Sequence, residues 1–448
     1  MPLQFLLGAG QNDATERMIQ TAQAWLEQNS ENRVFFLVPN YNKFEQEIRL
    51  LSAMKQDNKA VEFSTIRTQV FSFQRLAWYF LQKNGQIPGN ILSEAGNAMI
   101  LRKILHEQRE ELTIFRGEVN KAGFIQQLVR FYQEMQIGNV TVEDLVENGN
   151  DQDQVLKLQD LKKVFSAYEE ALFKYKVAND DPLQLLQQYL STKKMSNNLF
   201  IVSGFTRFNA RELGVLNELM VCGELLVSLE LDRPYPSEEP NPLNLFAEPG
   251  KTYFQLKKSA DAYKIPVRPD QFAQMNQTVF NQVGEFWANQ KRRNLEQNDQ
   301  VQIKIFSTLA DEIRKTGEEI RRLVRDEGYR YRDIQILLRN SQAYNSILPD
   351  LFNKLDIPFY LDETQEMAAH PLIEFLQALF LTDSYHYRIN DVFRMLRTEL
   401  FAPFDWTADT WFNLQQEYRE KIDQTENVCL AYNFRGSAWT KEDRKSTR

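Results

Sequence analysis

The sequence is short of the residues from which most metal and redox chemistry is built. It has 2 cysteines, Cys222 and Cys429, too few for a disulfide framework, a four-cysteine zinc site or an iron–sulfur cluster. A reducing, cytoplasmic setting suits such a chain. It has 3 histidines, His106, His370 and His386, none at metal-ligand spacing, which leaves histidine catalysis and zinc chemistry little to work with. No stretch of 18 apolar residues occurs, and the start MPLQFLLGAGQNDATE has no positive segment ahead of its apolar residues, so neither a membrane span nor a signal peptide is expected. Positive charge is in deficit as well. With 53 Lys and Arg against 61 Asp and Glu the net charge is −8, which disfavours a protein that coats polyanions by bulk charge and requires any nucleic-acid contact to be local.

What is present is core material: 43% of the 448 residues are apolar, enough for several domains of about 100 to 200 residues each. Short apolar runs alternate with helical periodicity at the start: LQFLLG, then Met18, Ile19, Ala22 and Leu26 on one helix face, then VFFLVP (34–39), RTQVFSF (67–73) and a helix over 74–83 ending in NGQIPGN. This alternation predicts an α/β fold with a parallel sheet. From 93 to 190 the period is helical throughout, as in FIQQLVRFYQEM, and the sheet resumes with NLFIVSGF, a helix over 209–221 and ELLVSLEL (224–231). The reading is therefore a domain split between 1–92 and 191–294 by a helical insertion, 93–190. Beyond a boundary near 295, VQIKIFST, DIQILLRN and IPFYLD read as three strands alternating with helices, the start of a second α/β domain over 295–366. Residues 367–448 read as helical and end in a charged tail, which suggests a truncation.

A phosphate-binding loop, GxxxxGK[ST] between a strand and a helix, uses backbone N–H groups to cradle phosphates, lysine to neutralise them and a hydroxyl to hold Mg²⁺. Counting from Gly8, the pattern asks for glycine, lysine and Ser/Thr where the chain has Asp13, Ala14 and Thr15. A carboxylate replaces neutral backbone where phosphate would sit, and at an effective dielectric near 20 one opposing charge at about 4 Å is worth roughly 4 kcal/mol. The other reading of Asp13 is a plain helix cap. A motor also needs acidic residues at a strand tip to hold Mg²⁺, yet LFIV (199–202) is followed by Ser203 and Gly204. Both departures in matching context imply an inactivated nucleoside-triphosphatase fold.

The positive signal lies in residues 63–93, which hold no Asp or Glu but do hold Arg67, Arg75 and Lys83, interleaved with Phe71, Phe73, Trp78, Tyr79 and Phe80. Cations with aromatic platforms grip single strands. The same pattern also fits a core strand running into an amphipathic helix, and composition leaves both open.

The segments FLLGAGQNDAT, FFLVPN, TQVFSFQRLAW, IVSGFTRF, GYRYRDIQILLRN, IPFYLDE and HPLIEF, in this order, resemble the AddB/RexB family, the second subunit of a bacterial ATP-dependent helicase/exodeoxyribonuclease. The resemblance implies a superfamily 1 helicase-like fold of RecA-like, P-loop type, with domain 1A in two parts, 1B as the helical insertion, and the beginnings of 2A and 2B. It implies a heterodimer in which ATP is held by an AddA/RexA-type motor subunit while this chain scans single-stranded DNA for the hotspot Chi. It places the Mg²⁺-dependent nuclease domain C-terminal to these residues, so neither a cofactor nor catalytic residues are expected here. Carried over residue by residue, the DNA-reading positions fall on Tyr41, Lys43, Phe73, Arg75, Trp78 and Phe208. Two other readings compete: a working ATPase with an atypical loop, and a scaffold that binds only its partner.

Overall fold

The computed structural model describes residues 2–54, 66–83, 92–145, 152–175, 181–275, 278–289, 300–362, 367–401, 411–434 and 436–440. The breaker cluster at 84–90, the boundary near 295 and the tail from 441 lie outside the described residues. The chain divides into two compact units, Met1–Gln302 and Ile303–Arg448.

The first unit is built on a parallel sheet. β1 (Leu3–Leu7) leads into α1 (Ala14–Gln28), then β2 (Arg33–Leu37), α2 (Lys43–Met54), β3 (Thr68–Phe71) and α3 (Phe73–Lys83). The insertion follows with α4 (Glu94–Glu107), α5 (Ala122–Ile137) and α6 (Gln152–Lys174), and the chain returns through α7 (Pro182–Ser191), β4 (Asn198–Val202), α8 (Ala210–Cys222), β5 (Glu224–Leu229), α9 (Ala247–Ala262), β6 (Gln271–Phe272) and α10 (Val279–Asn289). The strand order is β3-β2-β4-β5-β1-β6, and each pair runs parallel. Parallel neighbours cannot be joined by tight turns, so helices cross over both faces.

That arrangement explains why the strands read as continuous apolar runs. Phe5, Leu7, Phe35, Leu37, Phe200 and Val202 share one core with α3, α7, α8 and α9. Leu6, Val34, Phe36, Leu199 and Ile201 point the other way and pack with Met18, Ile19, Ala22 and Leu26 of α1. Alternation by two along a strand therefore supplies two cores.

The sheet-bearing expectation holds for the five longer strands. β6, only two residues, and α2 answer to no element expected from the sequence. α7 lies within the span assigned to the insertion, yet Leu183, Leu186 and Leu190 join the sheet core and pack beside α3 and α8. The insertion's own core is made by α4, α5 and α6, with Leu101, Leu105, Leu128, Tyr132, Phe165 and Tyr168 at its centre. Asp160, 1% exposed, is satisfied there by the N–H groups of Thr113 at 3.0 Å, Ile114 at 2.8 Å and Phe115 at 3.1 Å. A buried carboxylate is tolerated only with donors of this kind.

In the second unit, α11 (Leu309–Asp326) packs on α13 (Leu348–Lys354), with α12 (Ser341–Asn345) beside it, through Ile313, Ile320, Leu348, Phe352 and Ile357. The strands expected in VQIKIFST, DIQILLRN and IPFYLD are absent among the described residues. Ile334 and Leu338 lay their side chains on the helices, while Ile303, Ile305 and Leu337 are exposed. Apolar alternation in DIQILLRN thus serves packing on the helices, with no backbone ladder among the described residues to make it a sheet. α14 (Pro371–Ser384), α15 (Ile389–Leu396) and α16 (Trp411–Ala431) make the expected helical end.

Candidate nucleic-acid interface

In a parallel sheet, ligand sites form in the loops beyond the carboxyl ends of the strands. Here the tips of β3, β2 and β4 are neighbours. After β2 the chain passes Pro39, which cannot extend the ladder, and turns through Asn40–Asn42 into α2. Tyr41 is 83% exposed on this turn, Phe44 is exposed one turn later, and Lys43, half-buried, opens the helix. Beyond β4, Gly204 has φ +80°, and a Cβ there would stand 3.1 Å from Pro39 Cδ, so glycine lets the two tip loops touch.

Ser72 joins β3 to α3. Its carbonyl accepts the Leu76 N–H at 2.9 Å and its hydroxyl the Arg75 N–H at 3.4 Å, which starts the helix as an N-cap does. Arg75 is exposed and Trp78 half-buried, three residues apart and therefore on one helix face. Phe73 is only 3% exposed, so it cannot touch a base. It meets Phe205 edge-on at 5.4 Å and Phe208 at 5.9 Å, and those two rings lie 5.0 Å apart. Phe73 is a floor under the half-buried Phe208. α8 begins just beyond with a capping box between Asn209 and Glu212, and burial raises the Glu212 pKa against the opposing Asn209 N–H bond. The same loops rim a cleft of about 730 Å³ that reaches toward α5 and α6, lined by Asn40, Gln74, Tyr132, Gln133 and Arg211 among others.

The structure thus brings Tyr41, Lys43, Arg75 and Phe208 to adjacent strand tips and puts Phe73 beneath Phe208, whereas Trp78 lies further along α3, next to Tyr79, whose hydroxyl accepts from Arg33 at the opposite end of β2 at 3.2 Å. Phe44 in the first turn of α2, and Phe205 and the exposed Arg207 in the loop beyond β4, were not singled out by sequence. Phe205 and Arg207 sit inside the segment IVSGFTRF, whereas Phe44 carries no local signal.

Gly8, Asp13, Ala14 and Thr15 lie at the tip of β1, with another set of contacts. Asp13 precedes α1 but its side chain does not cap it. That bond is made by Asn12 Oδ1, which accepts the Ala14 N–H at 2.9 Å. The Asp13 carboxylate instead takes Arg17 Nε at 2.9 and 3.0 Å and the Gln274 N–H at 2.6 Å. Partial burial pushes its pKa up, but the Arg17 and Gln274 hydrogen bonds and the Arg17 charge outweigh it, so the carboxyl sits below its usual value. The Asp13 N–H donates to Gln274 O at 3.1 Å, and the Gln11 N–H donates to Asn281 Oδ1 at 2.8 Å. At the tip of β4, Ser203 and Gly204 offer no carboxylate, and among the described residues no three His, Cys, Asp or Glu side chains are placed to hold a metal. This geometry does not fit a Mg²⁺-nucleotide.

No helix among the described residues is long and apolar enough to cross a membrane. The sequence model of the family described as ADDB, N-terminal, matches residues 5–286. A protein of Enterococcus faecalis (strain ATCC 700802 / V583), named as the B-subunit of an ATP-dependent helicase/deoxyribonuclease, is 40% identical over 469 residues, covering 99% of this chain and 39% of the relative. Proteins of the same name from Latilactobacillus sakei and from Bacillus cereus strain B4264 are 35% and 32% identical, covering 98% and 99% of this chain and 37% and 38% of their own lengths. The chain therefore spans less than two-fifths of the curated relatives it matches here. With the family's N-terminal segment matched over more than half of the chain, and a parallel α/β sheet beneath it, this chain belongs to the AddB family.

Proposed function

We propose that this chain is the helicase-like, DNA-scanning part of the second, AddB-type subunit in a two-subunit ATP-dependent helicase/exodeoxyribonuclease. That complex processes double-strand breaks for repair by homologous recombination, and this chain reads the passing single strand for Chi. In this reading ATP is held by an AddA/RexA-type motor subunit, and a nuclease domain outside residues 1–448 uses Mg²⁺. This chain holds no cofactor, and the complex works in the cytoplasm.

The observation that carries the reading is the gathering of exposed or half-exposed Tyr41, Lys43, Arg75 and Phe208 at three adjacent strand tips of one sheet, with Trp78 further along α3 on the face of Arg75. The names of the relatives support it. Arg75 holds a phosphate or a base edge, Trp78 and Phe208 stack, and Phe73 keeps the Phe208 ring in place. A local patch of this kind gives an acidic protein its nucleic-acid contact without bulk charge.

The test is single-strand affinity, with and without the hotspot, across a salt series in the whole complex. Wild type, Arg75→Ala and Trp78→Ala are compared with Arg322→Ala, which lies in the second unit and pairs with Glu319 and Glu327. Weaker binding or fading hotspot discrimination in the first two variants alone supports the reading. Equal affinity and hotspot response in all four leaves the chain a scaffold.

A further inference from the structure

The loss of lysine at position 14 accounts for only part of what happened at the tip of β1, because the loop's backbone donors have found other acceptors. Three of the N–H groups that a phosphate loop would aim at its ligand donate to oxygens of this chain: Gln11 to Asn281 Oδ1 at 2.8 Å, Asp13 to Gln274 O at 3.1 Å, and Ala14 to Asn12 Oδ1 at 2.9 Å. Asn281 is 5% exposed and binds from both ends of its amide, since its Nδ2 donates to Gln11 O at 2.8 Å. A Cβ on Gly10 would stand 2.3 Å from Asn281 Oδ1, so the amide rests directly on the loop. Residues 12 and 275 form an antiparallel bridge, and the Ala273 N–H donates to Leu7 O at 2.8 Å. Two side-chain amide oxygens and a main-chain carbonyl thus take donors that phosphate oxygens take in a working loop.

We infer that Gln271–Met275 together with Asn281 is a built-in replacement for nucleotide: it satisfies the Gln11 and Asp13 N–H groups, ties the loop ahead of α1 to the sheet and keeps the site shut. A donor already bonded to a buried, two-ended amide gives phosphate nothing until that amide leaves. Restoring the consensus residues alone therefore leaves the loop closed.

The experiment uses the whole AddB-type protein without its motor partner, so that no other ATP site contributes, and follows Mg²⁺-ATP binding by calorimetry. The variants are Asp13→Gly with Ala14→Lys, Asn281→Ala alone, and all three substitutions together. Expected is no saturable binding by wild type or by Asn281→Ala, and binding by the triple variant at least about tenfold tighter than any binding by the pair, the scale of one recovered charge-assisted bond. Binding by the pair as tight as by the triple overturns the inference. A second measurement does not depend on nucleotide: hydrogen exchange at the Gln11 amide is slow in wild type and speeds at least about tenfold in Asn281→Ala, while Asp13, held by Gln274, changes little. Equal exchange of Gln11 in both proteins also overturns it.

Discussion

At the tip of β1 the loop's N–H groups and the Asp13 carboxylate are taken up by the chain's own atoms, whereas at the tips of β2, β3 and β4 aromatic rings and guanidinium groups stand open. In the order β2-β4-β5-β1 the two places are about 14 Å apart at roughly 4.8 Å per strand. They share a sheet, a strand-loop-helix geometry and an opening glycine or proline turn. What separates them is where the polar groups go. Backbone donors at β1 are spent internally, which yields order and no chemistry; side chains at β2–β4 are left unspent, which yields a surface that something else can complete. A site can be lost by being filled as well as by losing its residues.

The largest expected effect comes from removing the floor of the open end. Phe73→Ala deletes a buried ring and should cost about 3–5 kcal/mol in chemical denaturation, with Phe205 and Phe208 losing their packing and DNA affinity falling as well. A small stability loss with unchanged DNA affinity would show that the rings above do not depend on it. At the closed end, Gly10→Ala combines φ +63° with a Cβ 2.3 Å from Asn281 Oδ1 and should cost about 1–3 kcal/mol. Adding Asn281→Ala relieves the contact, so the two costs should be less than additive; strict additivity would mean the amide does not press on the loop.

Trp78→Ala should weaken single-strand binding by about 1–3 kcal/mol per stacked base with its salt dependence unchanged, because stacking releases no counterions. A flattened salt slope would recast Trp78 as a support for Arg75. Arg75→Ala should lower the slope by about one ion if the guanidinium holds phosphate, or leave the slope and blur hotspot discrimination if it reads a base. The smallest effect is electrostatic. Because the folded carboxyl of Asp13 lies below its ordinary value, its contribution is fully present above the unfolded pKa near 3.9 and is lost as pH falls through the folded one. Asp13→Asn keeps an oxygen for the Gln274 N–H and removes the charge. The gap in Tm between wild type and this variant should therefore be open at neutral pH and close in acid; a gap that widens in acid would contradict the assignment.

β1, β2 and β4 were legible because strands buried on both faces need unbroken apolar residues, as in Phe35–Leu37 and Leu199–Val202; the edge strand β3 showed instead in the alternation of buried Thr68 and Val70. β6 was not legible, since two residues have no period. The face of α7 was clear from Leu183, Leu186 and Leu190, but helical spacing does not say which core the face joins. Asn281 and Gln274 were invisible because their partners lie 270 and 261 positions away, and nothing local in a Gln/Asn-rich stretch marks one amide as the ligand of a distant loop. At the open end the residue types were legible and their exposure was not: Phe73 and Trp78 look alike in SFQRLAW, and only the helix start at Phe73 sends one inward and the other outward. Of the three strands expected beyond 300, DIQILLRN and IPFYLD failed for the opposite reason, since Ile334, Leu338 and Ile357 serve helix packing, whereas Ile303 and Ile305 of VQIKIFST stand exposed.

The pairing of β1 also sets a timetable for synthesis. Leu3 lies opposite Leu225, and Leu7 opposite both Leu229 and Phe272, so β1 has no neighbour on either side in this sheet until more than two hundred further residues have left the ribosome. At bacterial rates of roughly 5 to 20 residues per second, that wait is on the order of ten to fifty seconds. For all of it LQFLL is an unpaired apolar edge, open to wrong partners and to chaperones that bind such segments. The helical insertion, whose contacts are local, can fold during the interval and stand beside an unfinished sheet.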